Sequence, residues 1–163
     1  RINKLRPSGG GDAPEAVYDG LRVACDTLSW RNYSRRIAIL VGDAPPHRNC
    51  LCGLTSDSST AILEQTNVVL YALGLTRHVD LDFADLAQRT GGSYYRANQG
   101  DLAIKKLQET LQNEFQDLAF DAQVLELCQT AGWTVDDICQ TLETPISLVS
   151  ASLSRLGRRG LLA

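Results

Sequence analysis

The chain has 163 residues, is 44% apolar, 21% charged and 6% aromatic, and carries a formal net charge of −3. That composition excludes a disordered chain, a collagen-like repeat and a heptad rod, and no apolar run nears the roughly 20 residues of a membrane-spanning helix. With an isoelectric point near 5.3, the chain as a whole does not attract nucleic acid. It starts at Arg1 without Met or a signal-peptide pattern, so it is expected to be a fragment of a longer protein. Its five cysteines (Cys25, Cys50, Cys52, Cys128 and Cys139) are too scattered for a disulfide scaffold, so a cytoplasmic location with free thiols is expected.

In chain order, residues 12–28 read as a helix with Val17, Leu21, Ala24 and Leu28 on one face. Asp12 and Glu15 form a capping-box-like start, and Pro14 suits the first turn. Residues 37–41 are an unbroken apolar run, as in a strand covered on both faces, and residues 68–73 are a second, ending at Gly74. A short helix is expected over 59–65, and another over 82–90 with Phe83, Leu86 and Ala87 inward, closed by Gly91 and Gly92. A short strand over 93–96 follows, then a long helix over 101–118 with Ile104, Leu107, Leu111, Phe115 and Leu118 at helical spacing. Strands alternating with helices give a parallel sheet with helices on its faces.

After residue 118 the strand signals stop. Residues 121–131, 135–142 and 146–158 read as three short helices, with Cys128 and Cys139 as small core residues. The second opens on the capping box Thr134-Val135-Asp136-Asp137 and buries Val135, Ile138, Cys139 and Leu142. The third has Thr144 as cap and Pro145 in its first position, buries Ile146, Val149, Leu153 and Leu156, and ends at Gly160. This is a helix-turn-helix arrangement. Two domains are expected, over 1–118 and 119–163, with no Gly, Ser or Pro linker, so that the long helix runs nearly straight into the second.

The run Gly9-Gly10-Gly11-Asp12-Ala13-Pro14-Glu15-Ala16-Val17 and, one helix later, Ile37-Ala38-Ile39-Leu40-Val41-Gly42-Asp43-Ala44-Pro45-Pro46-His47 together resemble a von Willebrand factor type A (VWA) domain. The resemblance covers roughly residues 1–118, and Gly74 and Gly91-Gly92-Ser93-Tyr94-Tyr95 agree more loosely. It implies a partial doubly wound, mostly parallel sheet of Rossmann-like type and a metal-ion-dependent adhesion site at the carboxyl ends of the strands. Open α/β sheets generally bind ligands there. Mg²⁺ fits such a site because it is hard, takes oxygen ligands and keeps waters or an outside carboxylate. By position Asp43 matches the family's third-loop aspartate, and 9–12 matches the second loop, with Ser8 and Asp12 as its oxygen donors. Two departures stand out. The family's first strand with its Asp-x-Ser-x-Ser loop is absent, since Asp57-Ser58-Ser59-Thr60-Ala61 fails at its last position and follows the wrong strand. Gly11 occupies the place of the second-loop threonine. The chain therefore holds about half of the metal site and about half of the sheet.

The second part resembles a winged helix, with Val149-Ser150-Ala151-Ser152-Leu153-Ser154-Arg155-Leu156-Gly157-Arg158-Arg159-Gly160-Leu161 in the recognition-helix position. Residues 120–163 hold three basic side chains (Arg155, Arg158, Arg159) against five acidic ones (Asp121, Glu126, Asp136, Asp137, Glu143). A DNA-binding module normally shows a basic face. The helix also offers serines where bidentate base readers would stand, so nucleic acid is the weaker expectation.

Asp12 serves equally as a helix cap or beside a metal, and Asp43 serves as a ligand or as a turn former. His47, Cys50 and Cys52 fall short of the four ligands of structural zinc and read as a loop. No nucleophile elbow, phosphate-binding loop or zinc-protease motif is present. The expected function is a non-enzymatic protein–protein interaction module, Mg²⁺-dependent in the full-length protein. It would be capable of self-association through an exposed sheet edge. The alternative is a nucleic-acid-binding regulator acting through Arg155, Arg158 and Arg159.

Overall fold

The computed structural model describes residues 13–48, 53–97, 100–129 and 132–162. The elements run α1 (Val17–Thr27), β1 (Arg36–Gly42), α2 (Ser56–Gln65), β2 (Val68–Gly74), a 3₁₀ turn (Arg77–Val79), α3 (Asp80–Arg89), β3 (Tyr94–Arg96), α4 (Gly100–Cys128), α5 (Val135–Thr141) and α6 (Ile146–Arg158). The strands form a three-stranded sheet in the order β1-β2-β3, parallel throughout. The chain is thus α/β, as the alternating pattern predicts, and each parallel step is made by a helical crossover.

One face of the sheet carries Ala38, Leu40, Leu70 and Ala72. Against it pack Tyr18, Leu21 and Cys25 of α1, Leu63 of α2, and Phe83, Leu86 and Ala87 of α3. Alternation sends Val69, Tyr71 and Leu73 to the opposite face, where Tyr71 reaches Glu114 of α4. β2 is buried on both faces, as its continuous apolar run predicts. The backbone at Gly92 is what lets the turn before β3 close on β2: a Cβ there would stand 1.9 Å from the Leu70 carbonyl oxygen.

The run at 37–41 forms its strand but is not covered on both faces. β1 is an edge strand; α4 packs over β3 and Tyr71, leaving Ile39 37% and Val41 51% exposed. An apolar run reports affinity for burial, whereas burial itself depends on how far the covering helix reaches.

The first helix begins at Val17, not at 12, and its N-cap Ala16 makes no side-chain cap. Glu15 is held extended instead: its N–H donates to the Pro45 carbonyl at 2.9 Å, and it bridges to Pro46. The helix rotates accordingly to bury Tyr18, Leu21 and Cys25, and Leu28 is exposed. α2 starts at Ser56 behind a reciprocal capping box of Thr55 and Ser58.

The segments expected at 101–118 and 121–131 are one helix, α4, of 29 residues. Its inward line is Thr110, Glu114, Asp121 and Val124, while Ile104 and Phe115 of the expected apolar stripe are 57% and 68% exposed. The C-terminal half of α4 packs with α5 and α6 around Val124, Ile138, Val149 and Leu156, with Cys128 and Cys139 partly buried beside them. The Thr134–Asp137 capping box of α5 forms as predicted. The N-cap of α6 is Pro145 rather than Thr144, so the helix starts one residue later than expected, and Ile146 is exposed. Gly160, at φ +72°, ends that helix, with the Leu161 N–H donating to the Leu156 carbonyl at 3.0 Å. No helix among the described residues is long and apolar enough to cross a membrane, and residues 119–162 contain no strand among those described.

Candidate functional site

The carboxyl ends of β1 and β2 stop together at Gly42 and Gly74, which are paired in register. The Leu75 N–H donates to the Gly42 carbonyl at 2.8 Å, and the Thr76 hydroxyl donates to the Asp43 carbonyl at 2.6 Å. These two bonds fix the main chain at Asp43 and turn its carboxylate outward. The side chain of Asp43 is exposed and has no hydrogen-bond or ion-pair partner among the described residues. A cleft of about 420 Å³ opens beside it, lined by Glu15, Val17, Leu40, Gly42, Asp43 and Phe83. Gly42 leaves room for the Phe83 ring, which an added Cβ would approach to 3.0 Å.

The extended segment before α1 belongs to the same edge. Besides the Glu15–Pro45 bond, the His47 N–H donates to the Glu15 carbonyl at 3.1 Å. The chain just after the glycine run is thereby stitched to the loop that carries Asp43. Asp12 and Ser8 themselves lie outside the described residues, as do Cys50 and Cys52. Among the described residues no three His, Cys, Asp or Glu side chains gather to hold a metal ion. Asp43 by itself does not make up a Mg²⁺ site.

A second cluster on this edge was not legible in the sequence. Asp80, opening α3, accepts from the Tyr94 hydroxyl at 2.5 Å and from Arg96 at 3.2 Å. Burial, reinforced by the hydrogen bond to and charge of Asp80, pushes the Tyr94 hydroxyl up to about 12. Gly74 makes the cluster feasible, because a Cβ there would fall 2.3 Å from the Tyr94 oxygen and 2.6 Å from Val79. The available signal was Gly74 itself, a glycine at the end of a strand that a tyrosine hydroxyl must pass.

The three arginines of the C-terminal helix have different environments. Arg155 grips Asp121 at 2.7 Å through Nη2 and 3.0 Å through Nε. Arg159 reaches Asp121 at 3.4 Å and donates to the Tyr33 carbonyl at 2.9 Å. The Ser152 hydroxyl completes the carboxylate's shell at 2.7 Å. Arg155 and Arg159 are therefore largely buried, while Arg158 is exposed without an ion pair among the described residues. Sequence reading missed that Asp121 is their counter-charge, because the two helices come together only in the packed structure.

No protein-family model, curated protein or solved structure matches the chain. The geometry of the carboxyl edge is therefore what carries a functional reading.

Proposed function

We propose that the chain is a non-enzymatic protein–protein interaction module of VWA-like type that meets its partner at the carboxyl edge of the sheet. The observation that carries this reading is the exposed carboxylate of Asp43, free of protein partners among the described residues and mounted on a hydrogen-bonded loop. A carboxylate held in this way is built to engage something outside the chain. The tethering of the 13–16 segment to the same loop supports the pairing of the two loops that the sequence resemblance implies. In the full-length protein, Asp43 with Asp12 and Ser8 would contribute oxygen ligands to Mg²⁺, whose open position takes a partner's carboxylate. Residues 119–163, of winged-helix-like character on the same sequence grounds, would brace α4 from the other end. The outer edge of β1, unpaired among the described residues, offers a second contact line, to a partner strand or another copy.

Calorimetric titration of Mg²⁺ into the full-length protein tests the metal part. Saturable binding that Asp43→Ala removes is expected. Absence of binding, or binding indifferent to Asp43→Ala, would overturn it.

A further inference from the structure

At the opposite, amino edge of the sheet lies a cavity of about 310 Å³, walled by the starts of β1 and β2, by Gly91 ahead of β3, and by the last turn of α6. Six arginines line it: Arg35, Arg36 and Arg89 from the α/β part, and Arg155, Arg158 and Arg159 from the C-terminal helix. Glu64 is the sole carboxylate among the described residues of that lining.

Four of the six have carboxylate partners that are not among the lining residues. Arg35 pairs with Glu114, Arg89 with Asp57 and Asp85, Arg155 with Asp117 and Asp121, and Arg159 with Asp121. Arg36 and Arg158 do not. Arg36 donates to the Thr66 carbonyl at 2.7 Å and lies 6.0 Å over the Trp30 ring, with no carboxylate in ion-pair reach among the described residues. Arg158 has neither a hydrogen bond nor an ion pair among them. Two arginines without a carboxylate partner, from two different parts of the chain, thus line one cavity, with Glu64 the one carboxylate among its described lining residues. A guanidinium presents a rigid fork of donors suited to phosphoryl oxygens. A phosphate monoester carries about −1.5 to −2 charges at neutral pH, which matches the uncompensated pair. The volume is at the lower end of that of small-molecule sites.

We propose that this cavity binds a small phosphate monoester, its phosphoryl group held between Arg36 and Arg158. The bound anion ties the end of α6 to the amino edge of the sheet. A volume of about 310 Å³ fits a compact ligand.

The test is titration calorimetry and thermal unfolding of the 163-residue chain with inorganic phosphate, with adenosine monophosphate and with a short DNA duplex, at ionic strength matched by NaCl. Saturable binding of phosphate and the nucleotide, with a rise in Tm that NaCl does not reproduce, is expected. Arg158→Ala should weaken that binding by about tenfold or more, and Arg158→Lys should restore part of it. Since Arg158 makes no hydrogen bond or ion pair among the described residues, neither change should unfold the chain. Arg36→Gln provides the independent check from the other wall. No saturable binding, binding undiminished in both Arg158→Ala and Arg36→Gln, or binding of the duplex alone would each overturn the proposal.

Discussion

Glu114→Gln tests what fastens the long helix to the sheet. The Glu114 side chain is 5% exposed and Arg35 is 12% exposed. Arg35 donates to it through Nε at 2.8 Å and Nη2 at 3.0 Å, and the Tyr71 hydroxyl donates to it as well. Glutamine keeps the volume but removes the charge and turns one acceptor oxygen into a donor, leaving a mostly buried guanidinium uncompensated. Removing one member of a buried ion pair costs about 3–5 kcal/mol; the residual exposure of Arg35 puts the expectation near the lower end, about 3 kcal/mol. For a chain of this size that is a fall in Tm of about 6–12 °C, read by circular dichroism alongside urea unfolding at neutral pH. Tyr71→Phe should cost less, about 1–2 kcal/mol, since the ion pair survives. Replacing both Arg35 and Glu114 with Met should recover most of the loss, because no charge is then stranded. A single Glu114→Gln variant within about 0.5 kcal/mol of the parent, or a double variant as unstable as the single, would refute the reasoning. The same group sets an acid limb. Burial alone would raise the Glu114 carboxyl, but the hydrogen bonds from Arg35 and Tyr71 and the nearby charges outweigh it and hold it below the usual carboxylate range. With the folded value below the unfolded one, this stabilisation is complete above pH of about 4.5. It is lost as pH falls through the folded value, so the Glu114→Gln variant should show a shallower acid decline.

Asp121→Asn should destabilise by about 3 kcal/mol, since it strands Arg159 beside a 2% exposed position and leaves Arg155 only the half-exposed Asp117 at 3.5 Å; amide exchange in α6 would report the loosening. Gly92→Ala should prevent or severely impair folding because its Cβ would meet the Leu70 carbonyl at 1.9 Å, whereas Gly157→Ala, with nothing within 4 Å, should stabilise α6 by about 0.5–1 kcal/mol. Urea midpoints of the two variants moving in the same direction would refute that contrast. Phenolate absorbance of Tyr94 should emerge near pH 12, and Asp80→Asn should lower that value only in part, since burial is the larger cause. As the folded value is raised, the neutral hydroxyl stabilises the fold below pH of about 10, and that contribution is lost as pH rises from there through the folded value.

By itself the sequence determined the α/β pattern, the three strands and the helical C-terminal part. Continuous apolar runs such as 68–73, the Thr134–Asp137 capping box and the stop at Gly160 are local signals that local geometry obeys. The loop position of Asp43 was legible for the same reason, as a polar residue just after an apolar run. What lay beyond reach depended on partners distant in sequence. The 12–15 segment has a helix-start pattern, yet Pro45 and Pro46 draw Glu15 into an extended bridge. Apolar periodicity in the long helix pointed to Ile104 and Phe115, yet Glu114 and Asp121 turn inward because Arg35 and Arg155 wait there. Periodicity reports only what a residue would gain by leaving water. Which residues leave it is decided by the charges and surfaces that the fold brings opposite them, and that complementarity exists only once the helices and the sheet have packed.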